Sequence, residues 1–183
     1  MKKHITIIAL AMLSLATLFS GCKKDKDEPD QPETKEKYVV RYEVKNERTF
    51  HGGDGSIFTY TLSPIFKVDN ITYTDENGNS IEVKDITLPW EKEITIDSPF
   101  DASVGAELTF NPDDYLEEVN VVKYARIGVK KVGEDEFDFH EDDYFPFYEE
   151  YYGSAITLPW ERFMKRINEN PDYLKFRSKA TIK

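Results

Sequence analysis

The feature that most constrains this chain is a strict two-residue alternation repeated along its length. Val40, Tyr42 and Val44 alternate with Arg41, Glu43 and Lys45. Successive side chains of an extended strand point to opposite faces, so this pattern describes a strand with one face buried and one wet. Ile57 to Leu62 and Ile65 to Val68 are further strand-like runs, separated by Ser63-Pro64. Ile71 to Thr74 leads through Asp75-Glu76-Asn77-Gly78-Asn79 into Ile81-Glu82-Val83. Asn-Gly between such runs predicts a tight hairpin, because both residues tolerate positive φ. Ile94 to Ile96, Ala102 to Phe110 and Val121 to Val132 continue the series. Tyr173 to Ile182 closes it, with Leu174, Phe176, Ser178, Ala180 and Ile182 on one face. One segment breaks the period. Trp160, Phe163, Met164 and Ile167 recur at helical spacing, and Asn170-Pro171 stops them. The expectation is an all-β sandwich over residues 38–183 with one short helix before the final strand.

The N-terminus predicts a different fate. Lys2 and Lys3 precede an apolar run from Ile5 to Phe19, which ends at Ser20-Gly21-Cys22. This is the order of a secretory leader, and the run is short for a bilayer span of about 20 residues. Phe19-Ser20-Gly21-Cys22 resembles a bacterial lipobox. Residues 1–21 are therefore expected to be a lipoprotein signal peptide, with Cys22 as the lipidated N-terminus. Stable anchoring takes more than one acyl chain, which an acylated cysteine supplies. Cys22 is the single cysteine, so no disulfide helps the domain and its stability must come from packing.

Lys23 to Lys37 has no apolar residue apart from two prolines and reads as a disordered tether. Extended, it would reach roughly 50 Å at about 3.3 Å per residue. Lys26-Asp27-Glu28 resembles the lysine-then-acids export signal of Bacteroidota surface lipoproteins. Lys23 is not the aspartate that retains many lipoproteins in the inner membrane. The expected station is the outer membrane, on its periplasmic or surface-exposed face. The full chain carries a formal charge of −11. Loss of Lys2 and Lys3 with the leader leaves 22 basic residues against 35 acidic ones, a charge of −13. Such a chain is repelled by nucleic acid and by anionic lipid. No nucleic-acid partner is expected, and the lipid on Cys22 holds the protein at the membrane.

The stretch from Ile71 through the Asn77-Gly78 turn, Ile86-Thr87-Leu88-Pro89-Trp90-Glu91, Ile94 and Phe100 to Ala106 is similar to the MmpS-like small envelope proteins and to Bacteroidota lipoproteins of the same pattern. The resemblance covers about the middle third of the mature chain. It implies an immunoglobulin-like β-sandwich outside the membrane, and, for the mycobacterial members, work beside large exporters. Those members use a transmembrane helix, whereas this chain has an anchor signal and a long segment before its last strand.

That long segment, at about 134–155, holds the candidate sites. Glu134 to Tyr152 is acidic or aromatic at every position except His140 and Pro146. Asp138, Glu141, Asp142 and Asp143 are hard oxygen donors of the kind that hold Ca²⁺, although their spacing is not that of an EF-hand. Tyr144, Phe145, Phe147, Tyr148, Tyr151 and Tyr152 offer an amphipathic surface for a protein or glycan. The plainer alternative is an insertion whose rings pack on the sandwich while its charges face water. Asp75-x-Asn77-Gly78-Asn79 faintly resembles a calcium loop, but a hairpin explains it better.

Ile-Thr-Leu-Pro-Trp-Glu occurs twice, at Ile86–Glu91 and Ile156–Glu161. Either each Pro ends a strand and each Trp covers a core edge, or the two rings form paired stacking platforms for sugar. After leader cleavage only His51 and His140 remain, without a cysteine nucleophile. No Gly-x-Ser-x-Gly, His-Glu-x-x-His or phosphate loop is present. His51 beside Gly52-Gly53-Asp54-Gly55 reads as a loop tip. No catalytic residue and no cofactor other than a candidate calcium ion are assigned. The expected function is a non-catalytic envelope or surface module that binds a protein or glycan. The alternatives are a glycan-active enzyme using a carboxylate pair and an accessory subunit of an envelope transporter.

Overall fold

The computed structural model describes residues 35–139, 148–151 and 154–183. They form an all-β sandwich with one α-helix just ahead of the last strand. Strands β1 (Lys37–Lys45), β6 (Trp90–Asp97), β8 (Glu118–Lys131), β9 (Asp138–Phe139) and β11 (Ser154–Pro159) make the first sheet. Its order is β11-β8-β1-β6, with β9 joining β8 beyond β11. Strands β4 (Phe66–Thr74), β5 (Ser80–Val83), β7 (Phe100–Phe110), β10 (Tyr148–Tyr151) and β12 (Lys175–Ile182) make the second, in the order β10-β12-β7-β4-β5. All described pairings are antiparallel.

The core lies between the sheets, where the alternation predicted it. Tyr38, Val40, Tyr42 and Val44 face Ile71, Val104, Leu108 and Ile182 within one buried cluster. Tyr42 spans the gap: it is fully buried and its hydroxyl donates to the Thr74 carbonyl at 2.8 Å. That bond satisfies the one polar atom a buried tyrosine brings, and burial pushes its phenol well above the usual range.

Helix α1 (Trp160–Glu169) closes one end of the core. Phe163 is fully buried, its ring 5.4 Å from Phe66, 5.1 Å from Phe110 and 5.6 Å from Trp160. Phe66 and Phe110 are register partners at the start of β4. Trp160 packs edge-on against Phe110 and Tyr115. Trp90 closes the other end. It pairs with Val44, and its ring lies 5.8 Å from Tyr73, which is 5.5 Å from Tyr42. The two tryptophans thus sit at opposite ends of β4. The seven residue steps from Phe66 to Tyr73 span roughly 23 Å at about 3.3 Å per step. They close the core and do not form a paired sugar platform.

Four local expectations change. Ile65–Val68 and Ile71–Thr74 are parts of one strand, β4, because the register slips between Val68 and Asn70 and absorbs Asp69 as a bulge. The Asn77-Gly78 hairpin has a five-residue loop. Only Gly78 takes positive φ, at 80°, while the Asp75 carboxylate accepts from the Asn77 and Asn79 amides at 3.0 and 2.7 Å. Those donations, the Asn79 amide first, hold the Asp75 carboxyl below the usual range. They also explain the loop without a metal. Tyr173 and Leu174 belong to a 3-10 turn, Pro171–Leu174, not to β12. Pro171 presets φ and the Asn170 side chain caps the turn by accepting from Asp172 N at 3.1 Å. Pro159 does end β11, but Pro89 precedes a strand, β6, instead of ending one.

Candidate functional site

The acidic–aromatic stretch is divided between the two sheets. Its beginning extends the first sheet: Phe139 pairs with Gly128, and Asp138 with Val129. Its later part, β10, lies on the edge of the second sheet, with Tyr148 opposite Ala180 and Tyr151 opposite Ser178. Of the candidate calcium ligands, Asp138 is exposed on β9. Glu141, Asp142 and Asp143 lie outside the described residues. So do Tyr144, Phe145, Phe147 and Tyr152 of the candidate partner surface. Among the described residues no three His, Cys, Asp or Glu side chains gather as a metal site. Cys22 also lies outside them.

Two rings of this stretch, Phe137 and Phe139, pack on the first sheet. A Cβ at Gly128 would lie 2.5 to 2.9 Å from three ring atoms of Phe139, so only glycine lets that ring settle on the strand. The Arg126 guanidinium stacks 3.8 Å from the Phe139 ring centre. Phe137 lies 5.8 Å from Phe139 and carries Arg41 at 4.1 Å and Lys130 at 4.5 Å. Arg41 also bonds Glu93, its cross-strand neighbour, and lies 3.3 Å from Glu91. Contacts of this kind contribute about 0.5–1 kcal/mol each at exposed sites and more when desolvated.

Beneath Phe139 lies a charged group that the alternation assigns to solvent. Glu43 points away from the core, yet it is only 3% exposed. Arg126 Nε donates to its carboxylate at 2.6 Å, and Lys45 Nζ lies 3.0 Å away. Burial pushes the Glu43 carboxyl up; the bonds from Arg126 and Lys45 and their charges outweigh it, leaving the carboxyl below the usual range. Glu43 lies on the central strand β1 between Glu91 of β6 and Arg126 of β8, and the Arg126 and Lys45 side chains close on its carboxylate. No signal in the Glu43 neighbourhood of the sequence announces this burial.

A second feature stands outside both layers. Strands β2 (Glu47–His51) and β3 (Ile57–Thr61) pair only with each other among the described residues, forming a two-stranded arm. Its base is tied to β8 by Ser63 N donating to the Asn120 carbonyl at 3.0 Å, and by Asn120 N donating to Ser63 Oγ at 2.8 Å. Arg48 stacks on Phe50 at 4.6 Å and reaches Tyr124 of β8 at 5.5 Å. The tip is a turn over Gly52 to Ser56, as expected for the glycines, but His51 is not part of it: it ends β2, paired with Ile57. Gly55 takes φ 84°, and the Asp54 carboxylate accepts from Ser56 N and Oγ at 3.0 and 2.6 Å. Just past it, Ile57 is 64% and Phe58 53% exposed. As successive strand residues they open on opposite faces of the arm, so each face carries one large apolar side chain next to the tip.

A concavity of about 860 Å³ lies between the β4 bulge and the loop after β5. Asn46, Lys67, Asp69, Asn70, Glu82 and Asp85 supply its polar wall. Phe66 is the aromatic residue of that lining and belongs to the core. The groove therefore offers hydrogen bonds to a sugar without a ring to stack on it. No family model, no curated protein and no solved structure matches this chain.

Proposed function

We propose that this protein is a lipid-anchored module of the outer membrane, held through Cys22, that binds an envelope partner and performs no catalysis. The observation that carries the reading is the β2–β3 arm, with Ile57 and Phe58 presented beside an exposed tip. A short hairpin has two strand edges, and an extended peptide can add to either by main-chain hydrogen bonds while apolar side chains fill pockets. Between the two ligand classes the arm favours a protein, since the polar groove lacks a stacking ring. The sequence supports the anchor and the station: the lipobox at Cys22, the polar tether and the resemblance to MmpS-like envelope proteins. A charge of −11 supports the absence of a nucleic-acid partner.

The test uses the full chain in its native envelope. A photo-reactive residue at position 58 should give one discrete protein adduct, and the same residue at Val132, also exposed, should not. Ile57→Ser with Phe58→Ser should abolish that adduct from a second reporter at Thr59 without lowering the melting temperature. Absence of an adduct, together with saturable binding of a polysaccharide panel, would replace the protein by a glycan; turnover of that panel would make the protein an enzyme. Mass spectrometry of the native N-terminus tests the anchor, and an unmodified Cys22 would remove it.

A further inference from the structure

Lys123 is a cation that the fold half-buries without a carboxylate partner among the described residues. It lies on β8 opposite Ser154, beside the point where the 3-10 turn enters β12. Its Nζ donates to the Tyr173 carbonyl at 3.0 Å and stands 4.3 Å from the Tyr173 ring centre. Arg166 Nη1 donates to the hydroxyl of the same tyrosine at 3.4 Å, its guanidinium 5.7 Å from the ring centre. Two positive groups therefore share one neutral side chain. Among the described residues no carboxylate forms an ion pair with Lys123. Burial, and then the Arg166 charge, pull the Lys123 ammonium below the usual lysine range. An ammonium taken partly out of water is costly unless an opposite charge answers it.

A cleft of about 650 Å³ opens beside this lysine. It borders the stretch of β12 that precedes the residues paired with β10. Lys123, Lys175 and Arg177 line it against a single carboxylate, Asp172. That carboxylate already holds Lys175 Nζ at 2.8 Å, and Glu107 across the strand adds to it. With Lys175 answered by Asp172, Lys123 stands on the wall of this cleft as a cation that no described carboxylate answers, with an amide donor class also present at Asn170. Low-dielectric walls strengthen the field of charges inside such a cleft.

We propose that this cleft binds an anionic oxygen group, a carboxylate or a tetrahedral oxyanion, with Lys123 as its principal ligand. An ammonium–oxyanion bond is charge-assisted and stronger than a neutral one. The anion would answer the Lys123 charge, which the nearby Arg166 makes costlier to hold. The site is separate from the β2–β3 arm and does not depend on the arm having a partner.

The experiment titrates the isotope-labelled full chain with phosphate, sulfate, acetate and glucuronate, chloride holding ionic strength constant. Saturable amide shifts centred on Lys123, Tyr173 and Arg177 are expected from at least one probe. A lower Kd for phosphate and sulfate identifies a tetrahedral oxyanion; a lower Kd for acetate and glucuronate identifies a carboxylate. Lys123→Met should weaken the binding by about tenfold or more, the loss of one charge-assisted bond, and Lys123→Arg should retain most of it. Non-saturating shifts, shifts scattered over exposed lysines such as Lys92, or an unchanged Kd in Lys123→Met would overturn the proposal. Should Lys123→Met fail to fold, the shift map of the parent and the Kd of Lys123→Arg decide it.

Discussion

Replacing Glu43 with alanine tests whether the first sheet's outer face is a buried layer or a solvated one. In the structure the carboxylate holds Arg126 at 2.6 Å and Lys45 at 3.0 Å, under a residue exposure of 3%. Removing it takes from Arg126, whose side chain is 16% exposed and stacks on Phe139, the carboxylate at 2.6 Å. Breaking a buried pair from one side costs about 3–5 kcal/mol, because the remaining charge is uncompensated. Lys45 is one-third exposed and water answers it in part, so we expect the low end, about 3 kcal/mol. In a domain of this size that lowers Tm by about 6–12 °C. The effect has a sign in pH. The folded Glu43 carboxyl lies below its unfolded value, so its stabilisation is complete above the unfolded value and is lost as pH falls through the folded one. Urea denaturation at neutral pH should therefore separate parent and Glu43→Ala widely. The gap should shrink in acid, below a pH of about 4.3, the unperturbed value for glutamate. Arg126→Met combined with Glu43→Ala should recover part of the loss. A Glu43→Ala variant within about 1 kcal/mol of the parent at neutral pH, the range of an exposed pair, would refute the buried-layer reasoning.

Trp90→Ala should cost about 3 kcal/mol, the low end for a large aromatic because the ring is half-buried; an unchanged Tm with lost ligand binding would make the ring a platform after all. Gly128→Val should destabilise by about 1–3 kcal/mol through overpacking against Phe139. Adding Phe139→Ala should relieve that strain, and strict additivity in the double-mutant cycle would show that the two do not touch. A calcium site built from Asp138, Glu141, Asp142 and Asp143 should stabilise the fold by about 2.7 kcal/mol at a hundredfold excess over Kd; equal melts in millimolar Ca²⁺ and in chelator would remove the ion.

What the sequence determined by itself was local. Period-two alternation marked β1, β4, β6, β7, β8 and β12, since a strand between a core and water must write its two faces in turn. Period 3.6 marked α1, and Asn170-Pro171 its end, because proline cannot continue a helix. Those signals gave the class of fold and the composition of the core. Tertiary structure decided everything that depends on which edge meets which. The alternation put Glu43 on the wet face, and its place on the central strand, under the Arg126 and Lys45 side chains, took it out of water. The run Ile57 to Leu62 looks like any other strand, yet most of it forms an arm outside the sandwich, because its partner is β2 and not a sheet edge. The flanks of the two Leu-Pro-Trp copies already told a strand from a helix, but only the fold put the two rings at opposite ends of β4. Lys123 carries no mark in the sequence; only the approach of Tyr173 and Arg166 from beyond residue 160 makes it a buried cation. Strand faces follow from neighbours in the chain, while pairing, cover and charge environment follow from residues far along it, and no local period encodes those.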